Sequence, residues 1–407
     1  MHLPAKPGAP RQSLGETGAV PEFLSPALLA WRDRAERLAT DELIPLREDP
    51  TLGSNLRRDG VRAASKRAGV HALTQGEFAD GPHQGEGAAE PALRLLVVRE
   101  ALARHGVGQV RGVFGAAPGV LAGVGEPLRS THLLPLLAGD KRSGFAFTEP
   151  VDAPRPSWAR VEGNDLIING QKSYVTGGAE LNEAGVAVVA VDFLTATVDI
   201  EGEGPAMVVI DTDLPGVQLE RRFASFDGSQ HGAFRLREVR VPRHCALGRP
   251  GEGRGRALQR ISEVRQAIAA DCVGTAIWLL DLLTDHLQRE RRDGRRPGDQ
   301  ERVRLRYGEL RVQAYAARSM VYRTARLVDA GQPTVNECIA AKLFASEVAN
   351  HIADCAVQLI GGEALIEGHP VEQIYRRLRT LRLAEGESDV LRINVARGRL
   401  DLDQGRI

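Results

Sequence analysis

The sequence predicts a mostly helical α+β fold in which a β-rich module lies between two helical regions. Three observations carry this. Residues 24 to about 140 are rich in Ala, Leu and Arg, and runs such as SPALLAWRDRAERLATDEL and PALRLLVVREALARHG repeat apolar residues at three and four spacing. From about 142 to 250 the texture turns to short β-rich runs separated by turn residues. From about 255 to the end, long amphipathic helical patterns return.

Each region can be justified in chain order. Residues 1–23 (MHLPAKPGAPRQSLGETGAV and its continuation) hold Pro and Gly but no apolar core of a signal peptide, and read as a flexible tail. Pro and Gly also punctuate the helices of 24–141. In 142–250, DLIINGQKSYVTG, AGVAVVAVDF, PAMVVIDTD and GAFRLREVRVP read as strands of an antiparallel module, with Asn169-Gly170 as the pair that closes a tight hairpin. In 251–407 three long helices are expected. The first runs through RALQRISEVRQAIAADCVGTAIWLLDLLTDHLQRERR, the second stops at Gly331, and the third stops at Gly361-Gly362. A last helix starts near Ser388, which makes a four-helix bundle.

Composition narrows the function class. The chain has 407 residues, 43% of them hydrophobic, which is ordinary for a globular protein. No run of about 18 apolar residues is evident, so no membrane span is expected. The 53 basic and 53 acidic residues balance, which gives no electrostatic reason to expect nucleic acid. Only five of the basic residues are Lys. Cys245, Cys272, Cys338 and Cys355 are far apart and lack metal spacing, so they read as buried thiols in a reducing, cytoplasmic compartment. The Arg-rich segment 288–306 reads as a solvated helix turn, with phosphate contact as the sharper alternative. GEGRG (251–255) reads as loop glycine rather than a dinucleotide fingerprint.

Three segments carry a resemblance. They are Phe145-Ala146-Phe147-Thr148-Glu149-Pro150 with IINGQKSYVTGG (167–178), then REVRVPRHCALG (237–248), then QLIGGEALIEGHPVEQIYRRLRTLRLAEGESDVLRINVAR (358–397). In this order they resemble the acyl-CoA dehydrogenase family. The resemblance implies a helical N-terminal domain, a central antiparallel β-barrel-like module and a C-terminal four-helix bundle. It implies FAD as cofactor and an acyl thioester, on coenzyme A or an acyl carrier protein, as substrate. The product is the trans-2-enoyl thioester, and the electron acceptor is an electron-transfer flavoprotein or another oxidant. A homodimer or homotetramer is expected.

The resemblance also assigns residues. Glu385, in Ala384-Glu385-Gly386, matches the base that removes the α proton; the plainer reading is a carboxylate favoured by a helix N-terminus. Phe147, Thr148, Tyr174 and Thr176 match positions beside the flavin ring, although Tyr and Thr are also ordinary strand residues. Gln358, Gly362 and Arg291 match positions that hold the flavin of a neighbouring subunit. Arg265 matches an Arg near the thioester, with a solvated helix Arg as the alternative.

The match fails in places. The Gly-x-Gly-Ser step after the TEP signature is replaced by Val151-Asp152-Ala153-Pro154-Arg155-Pro156-Ser157, and its prolines lack backbone donors. Ser157 is then the candidate to supply the lost serine contact. Asp293-Gly294-Arg295 replaces a Phe-Gly pair after Arg291, Glu387 stands where the family has Thr, and Ser262 where it often has Asp. The altered loop keeps open a degenerate subunit paired with an active paralogue; a flavin monooxygenase on the same fold is a further alternative, and the Arg-rich segment 288–306 raises, against the charge balance, a nucleic-acid-associated relative.

Overall fold

The computed structural model describes residues 24–405 apart from 80–82, 109 and 250, so the expected tail at 1–23 lies outside the described residues. Helix α1 (Pro26–Arg37) starts where the Ser25 hydroxyl accepts the Leu28 N–H at 3.4 Å and Pro26 takes a position that needs no N–H partner. It buries Leu28, Trp31 and Ala35. A π-helical stretch, Leu38–Leu43, leads into α2 (Ile44–Glu48). Then come α3 (Ser54–Arg67), α4 (Pro91–Arg104) and the short α5 (Leu134–Ala138).

Helix α4 is apolar on two sides because it serves two cores. Val98, Ala101 and Leu102 pack with Trp31 and Leu38, while Leu93, Leu96 and Val97 pack into the C-terminal helices. Its start is tied to those helices by Asp329, whose carboxylate oxygens accept the Ala92 and Leu93 N–H groups at 2.8 and 2.9 Å.

The central strands are β1 (Ser143–Ala146), β2 (Trp158–Glu162), β3 (Asp165–Thr176), β4 (Ala179–Leu181), β5 (Ala187–Val189), β6 (Phe193–Ile200), β7 (Gly204–Asp211), β8 (Val217–Ala224), β9 (Gln230–Pro242) and β10 (Ala246–Leu247). The main sheet runs in the order β10-β7-β6-β2-β3-β9-β8, with β1 also on β6. Among the described residues this path ends at β10 and β8, and no pairing closes it into the barrel-like module expected. The β1–β6 and β2–β6 pairs are parallel, which also corrects the purely antiparallel reading.

Asn169-Gly170 does not close a hairpin. The pair lies inside β3, and the turn is at Gly163-Asn164, between Glu162 and Asp165. The consecutive burial of Leu166, Ile167 and Ile168 between β2 and β9 favours one long strand, and the irregularity at Gly170 is absorbed as a bulge against β9. Gly170 has φ +153, and a Cβ there would lie 2.3 Å from the Ser157 Oγ. Only glycine fits this crossing.

The C-terminal helices are α6 (Gly253–Gln288), α7 (Glu301–Asp329), α8 (Val335–Ile360), α9 (Pro370–Leu381) and α10 (Ser388–Leu402). The glycine stops hold, with Gly331 at φ +66 and Gly361 at φ +92. Helix α9 adds a member to the expected four. By length and mean hydropathy Gly255–Gln288 is apolar enough to cross a bilayer, although polar residues such as Asp271 and Thr275 interrupt it. In the fold its Val273, Ala276, Leu279 and Leu283 are core positions under α4, α7 and α8. Each such Leu or Val contributes roughly 1.5–3 kcal/mol by burial.

Helices α4 and α6 approach closely at Gly274, where a Cβ would lie 2.5 Å from the Glu100 carbonyl oxygen and 2.6 Å from the Ala103 Cβ. Gly274→Ala is expected to destabilise the protein by about 1–3 kcal/mol through overpacking, despite the better helix propensity of Ala. Urea unfolding measures this; an unchanged midpoint would show that the two helices can part without cost.

Candidate active site

Glu385 lies in the loop between α9 and α10. Its backbone is left-handed, with φ +56, and Gly386 follows at φ +111. A non-glycine residue in this region costs about 1–2 kcal/mol, so neighbours must hold it. Arg265 on α6, only 6% exposed, donates from Nε and Nη2 to the Glu385 carbonyl oxygen at 3.0 and 2.9 Å. Lys342 on α8, fully buried, donates from Nζ to the Gly386 carbonyl at 3.0 Å and to the Arg382 carbonyl at 3.4 Å. Glu347, further along α8, accepts from the Arg382 guanidinium at 3.0 Å and from the Ser388 hydroxyl. Asn350 reaches the Leu378 carbonyl at 2.6 Å.

The backbone of this loop is thus clamped while the Glu385 carboxylate is left to act. Burial raises its pKa above the ordinary carboxylate value, and the charges of Arg265, Arg260 and Lys342 partly oppose this through space. Arg265 is neither a solvated helix Arg nor, in this arrangement, directed at an outside ligand; its partner is the loop.

The ring-side residues come together on the sheet. The Ser173 N–H donates to the Thr148 carbonyl at 2.9 Å, which sets Phe147-Thr148 beside the end of β3. Glu149 fixes the same corner by accepting from buried Lys172 at 2.6 Å and from the Ser157 N–H at 2.9 Å. Tyr174 has φ +55 at a second β3 irregularity, which turns its ring outward to 60% exposure. It meets Phe223 edge-on at 5.2 Å. Thr148 and Thr176 are exposed alongside.

A hydrogen-bonded chain joins this platform to the Glu385 loop. Thr176 Oγ1 lies 3.4 Å from His231 Nδ1, and His231 Nε2 lies 3.1 Å from Ser229 Oγ. Ser229 donates to Asp227 at 2.6 Å, and Thr380 at the end of α9 donates to Asp227 at 3.1 Å.

Two assigned residues are engaged elsewhere. Ser157 is 1% exposed, and its hydroxyl contacts the Gln171 carbonyl at 3.4 Å under β3, so it does not replace the lost serine contact on an exposed loop. Glu387 accepts the Val390 N–H at 3.2 Å and caps α10. Arg291, Gln358 and Gly362 gather at the other end of the helices and are exposed. Arg291 and Glu363 both act on the charge of His286, which places that loop beside the α8 terminus. Gln358 also lines a groove of about 490 Å³ with Arg306, Glu309, His351, Asp354 and Cys355. The span of α8 from Lys342 to Gln358 is about 24 Å at 1.5 Å per residue.

Sequence reasoning missed Lys342, Glu347 and His231. Lys342 carried a signal: a rare lysine inside the apolar run CIAAKLFAS. His231 and Glu347 carried none without the fold.

Residues 251–400 match the model of the acyl-CoA dehydrogenase C-terminal domain. The chain is 28% identical over 316 residues to "Probable acyl-CoA dehydrogenase YngJ" of Bacillus subtilis, covering 75% of this chain and 81% of that one. It is 28% identical over 310 residues to the caffeyl-CoA reductase-Etf complex subunit CarC of Acetobacterium woodii, covering 73% and 80%. The structure of a glutaryl-CoA dehydrogenase from Mycobacterium smegmatis in complex with FADH2 superposes with a TM-score of 0.73 at 18% identity, over 95% of this chain and 98% of that one, which shows the shared fold. Residues 251–400 carry the acyl-CoA dehydrogenase C-terminal domain, and fold, motif order and these relatives together support a flavoprotein oxidoreductase acting on CH–CH donors.

Proposed function

We propose that the chain converts a saturated acyl thioester to the trans-2-enoyl thioester, with Glu385 removing the α proton and FAD as the bound flavin. The observation that carries this is the Glu385 loop: a backbone clamped by Arg265 and Lys342, and a partly desolvated carboxylate with a raised pKa. A thioester α proton is too weakly acidic for a carboxylate in water. Burial makes the carboxylate a stronger base, and the fixed backbone keeps it from turning away from its target. FAD, when bound, supplies the hydride acceptor that no side chain can be. In the reverse direction, which the name of the Acetobacterium relative describes for that protein, Glu385 would return the proton as an acid.

The exposed Tyr174 ring and the Thr148 and Thr176 hydroxyls fit a flat, polar-edged ring system. Arg291, Gln358 and Gly362 lie by the end of α8 opposite to Lys342 and the Glu385 loop, which supports their service to a neighbouring subunit in a homodimer or homotetramer. Exposed Leu305, Val312 and Tyr315 on α7, at 77%, 69% and 69%, and Leu400 on α10, at 82%, supply apolar surface for such contacts. Coenzyme A and an acyl carrier protein are both carriers compatible with this reading. The name of the Acetobacterium relative supports an electron-transfer flavoprotein as acceptor. The unbridged cysteines agree with a cytoplasmic location.

A second reading, a non-catalytic subunit, draws on the engagement of Ser157 and Glu387 within the chain. The clamped Glu385 argues against it and against a monooxygenase. Anaerobic addition of saturated acyl thioesters of varied length to the purified protein decides between them. Bleaching of the flavin bands supports the dehydrogenase, and a colourless protein that takes up no FAD would sink it.

Glu385→Gln is expected to keep the flavin spectrum and to slow bleaching by about 10²–10⁴-fold; normal bleaching would place the base elsewhere. Because burial raises the Glu385 pKa, the active anion is lost as pH falls through that raised value. The acid limb of kcat/KM should therefore lie above the ordinary 4.5, and a limb at or below it would contradict the assignment. Arg291→Ala should lower the FAD retained on gel filtration without changing the oligomer; unchanged flavin content would refute its role.

A further inference from the structure

Lys342 is a buried cation in an apolar helix, and its two acceptors are neutral carbonyls rather than a carboxylate. Burying an ammonium without an ion-pair partner is costly, so such a group persists where its charge has work to do. Its acceptors, Arg382 and Gly386, bracket Glu385 on either side. We infer that Lys342 is a positioning residue for the proposed base, holding the left-handed Glu385-Gly386 turn by charge-assisted hydrogen bonds that weaken when the ammonium loses its proton. This rests on the reading of Glu385 as the base only for its catalytic consequence; the hold on the loop is independent of it.

The charged neighbours set how this hold responds to pH. Burial depresses the Lys342 pKa to about 8. The groups facing it are Cys272 and Arg265 from α6, Glu385 from the loop, and Glu347 on its own helix. Arg265 is a second cation and opposes protonation, while Glu385 and Glu347 favour it. Burial pushes the Cys272 thiol up to about 12, so it stays neutral where Lys342 titrates. Arg265 remains charged at the Glu385 carbonyl throughout. Above pH about 8 the loop would therefore keep its middle contact and lose strength at both flanks.

The test is hydrogen–deuterium exchange of residues 382–388 in the purified flavoprotein from about pH 6 to about pH 10, corrected for intrinsic exchange, beside the pH profile of kcat/KM for whichever thioester bleaches the flavin. In the wild type, protection of the loop and kcat/KM are expected to fall together across the Lys342 titration. Lys342→Gln keeps an N–H donor but no charge. It should show low loop protection at every pH, no alkaline limb, and a kcat lower by roughly 10–100-fold with flavin absorbance unchanged. Lys342→Arg, charged throughout, should restore protection at high pH. A wild-type loop whose protection ignores pH overturns the inference even if the variants fail to fold, and so does a Lys342→Gln protein with wild-type protection and pH profile. Bleaching by thioesters together with an indifferent loop rejects Lys342 and leaves Glu385 standing. A pH-sensitive loop in a protein that no thioester bleaches upholds the hold by Lys342 and rejects the dehydrogenase reading.

Discussion

The loop from Arg382 to Gly386 belongs to neither α9 nor α10, so its carbonyl groups have no helical partners, yet it is packed against the core. Buried carbonyls must be satisfied, and here two cations do it: Arg265 from α6 and Lys342 from α8. A cationic donor makes a stronger bond to a carbonyl than a neutral one, enough to offset the left-handed backbone at Glu385. The arrangement requires α6, α8 and α9 to be in register with each other. The long core helices therefore serve a local purpose, since Arg265 and Lys342 reach the same loop only if α6 and α8 pack side by side over Ala269, Ala345 and Ala349.

The same economy of fixed backbone and free side chain recurs on the sheet. Tyr174 is turned outward by a left-handed residue within β3, as Glu385 is in its loop. Thr148 is placed by its own carbonyl, which accepts from Ser173, and its hydroxyl is left exposed. The chain through Thr176, His231, Ser229, Asp227 and Thr380 then ties sheet to helices. In the proposed reaction hydride and proton leave adjacent carbons of one substrate, so the two surfaces would need a constant separation, and a polar chain linking them resists their drift.

Periodic features were legible in the sequence, whereas features set by tertiary partners were not. The long helices and their glycine stops follow from three and four spacing and from positive φ, both local properties. Glu385 is singled out by the register of a motif, and the structure places it in a loop held by Arg265 and Lys342. Asn169-Gly170 misled because turn chemistry was read without the pairing of β3 with β9; the side chain of Asn169 instead accepts the Glu238 N–H at 3.0 Å and bridges the bulge. Ser157 is singled out from the lost Gly-x-Gly-Ser step, whereas its burial under Gly170 depends on the crossing of β3 that only the fold shows. Helix α9 was read as a motif rather than a helix, although Pro370 follows a capping His369 that accepts the Val371 N–H at 3.2 Å. Lys342 and Glu347 gain meaning only once α8 lies under a loop some forty residues further along the chain.

The rewritten pyrophosphate loop bears on how the cofactor is held. The Ser157 hydroxyl is engaged with the Gln171 carbonyl and Glu387 with the Val390 N–H, and a carboxylate near an anionic cofactor would repel it. On the proposed reading the remaining grip would fall on Thr148, Tyr174 and Thr176 of one subunit and on the exposed cluster of Arg291, Gln358 and Gly362 of another. If the two groups of residues serve one flavin across a subunit interface, as proposed, each half-site alone gives little retention, since it must offset the full loss of ligand freedom, and the second contact forms at high effective concentration once the first is made. In this arrangement, loss of the near loop makes flavin retention depend more strongly on assembly, so cofactor content would follow oligomer concentration more steeply than in a relative that keeps its loop.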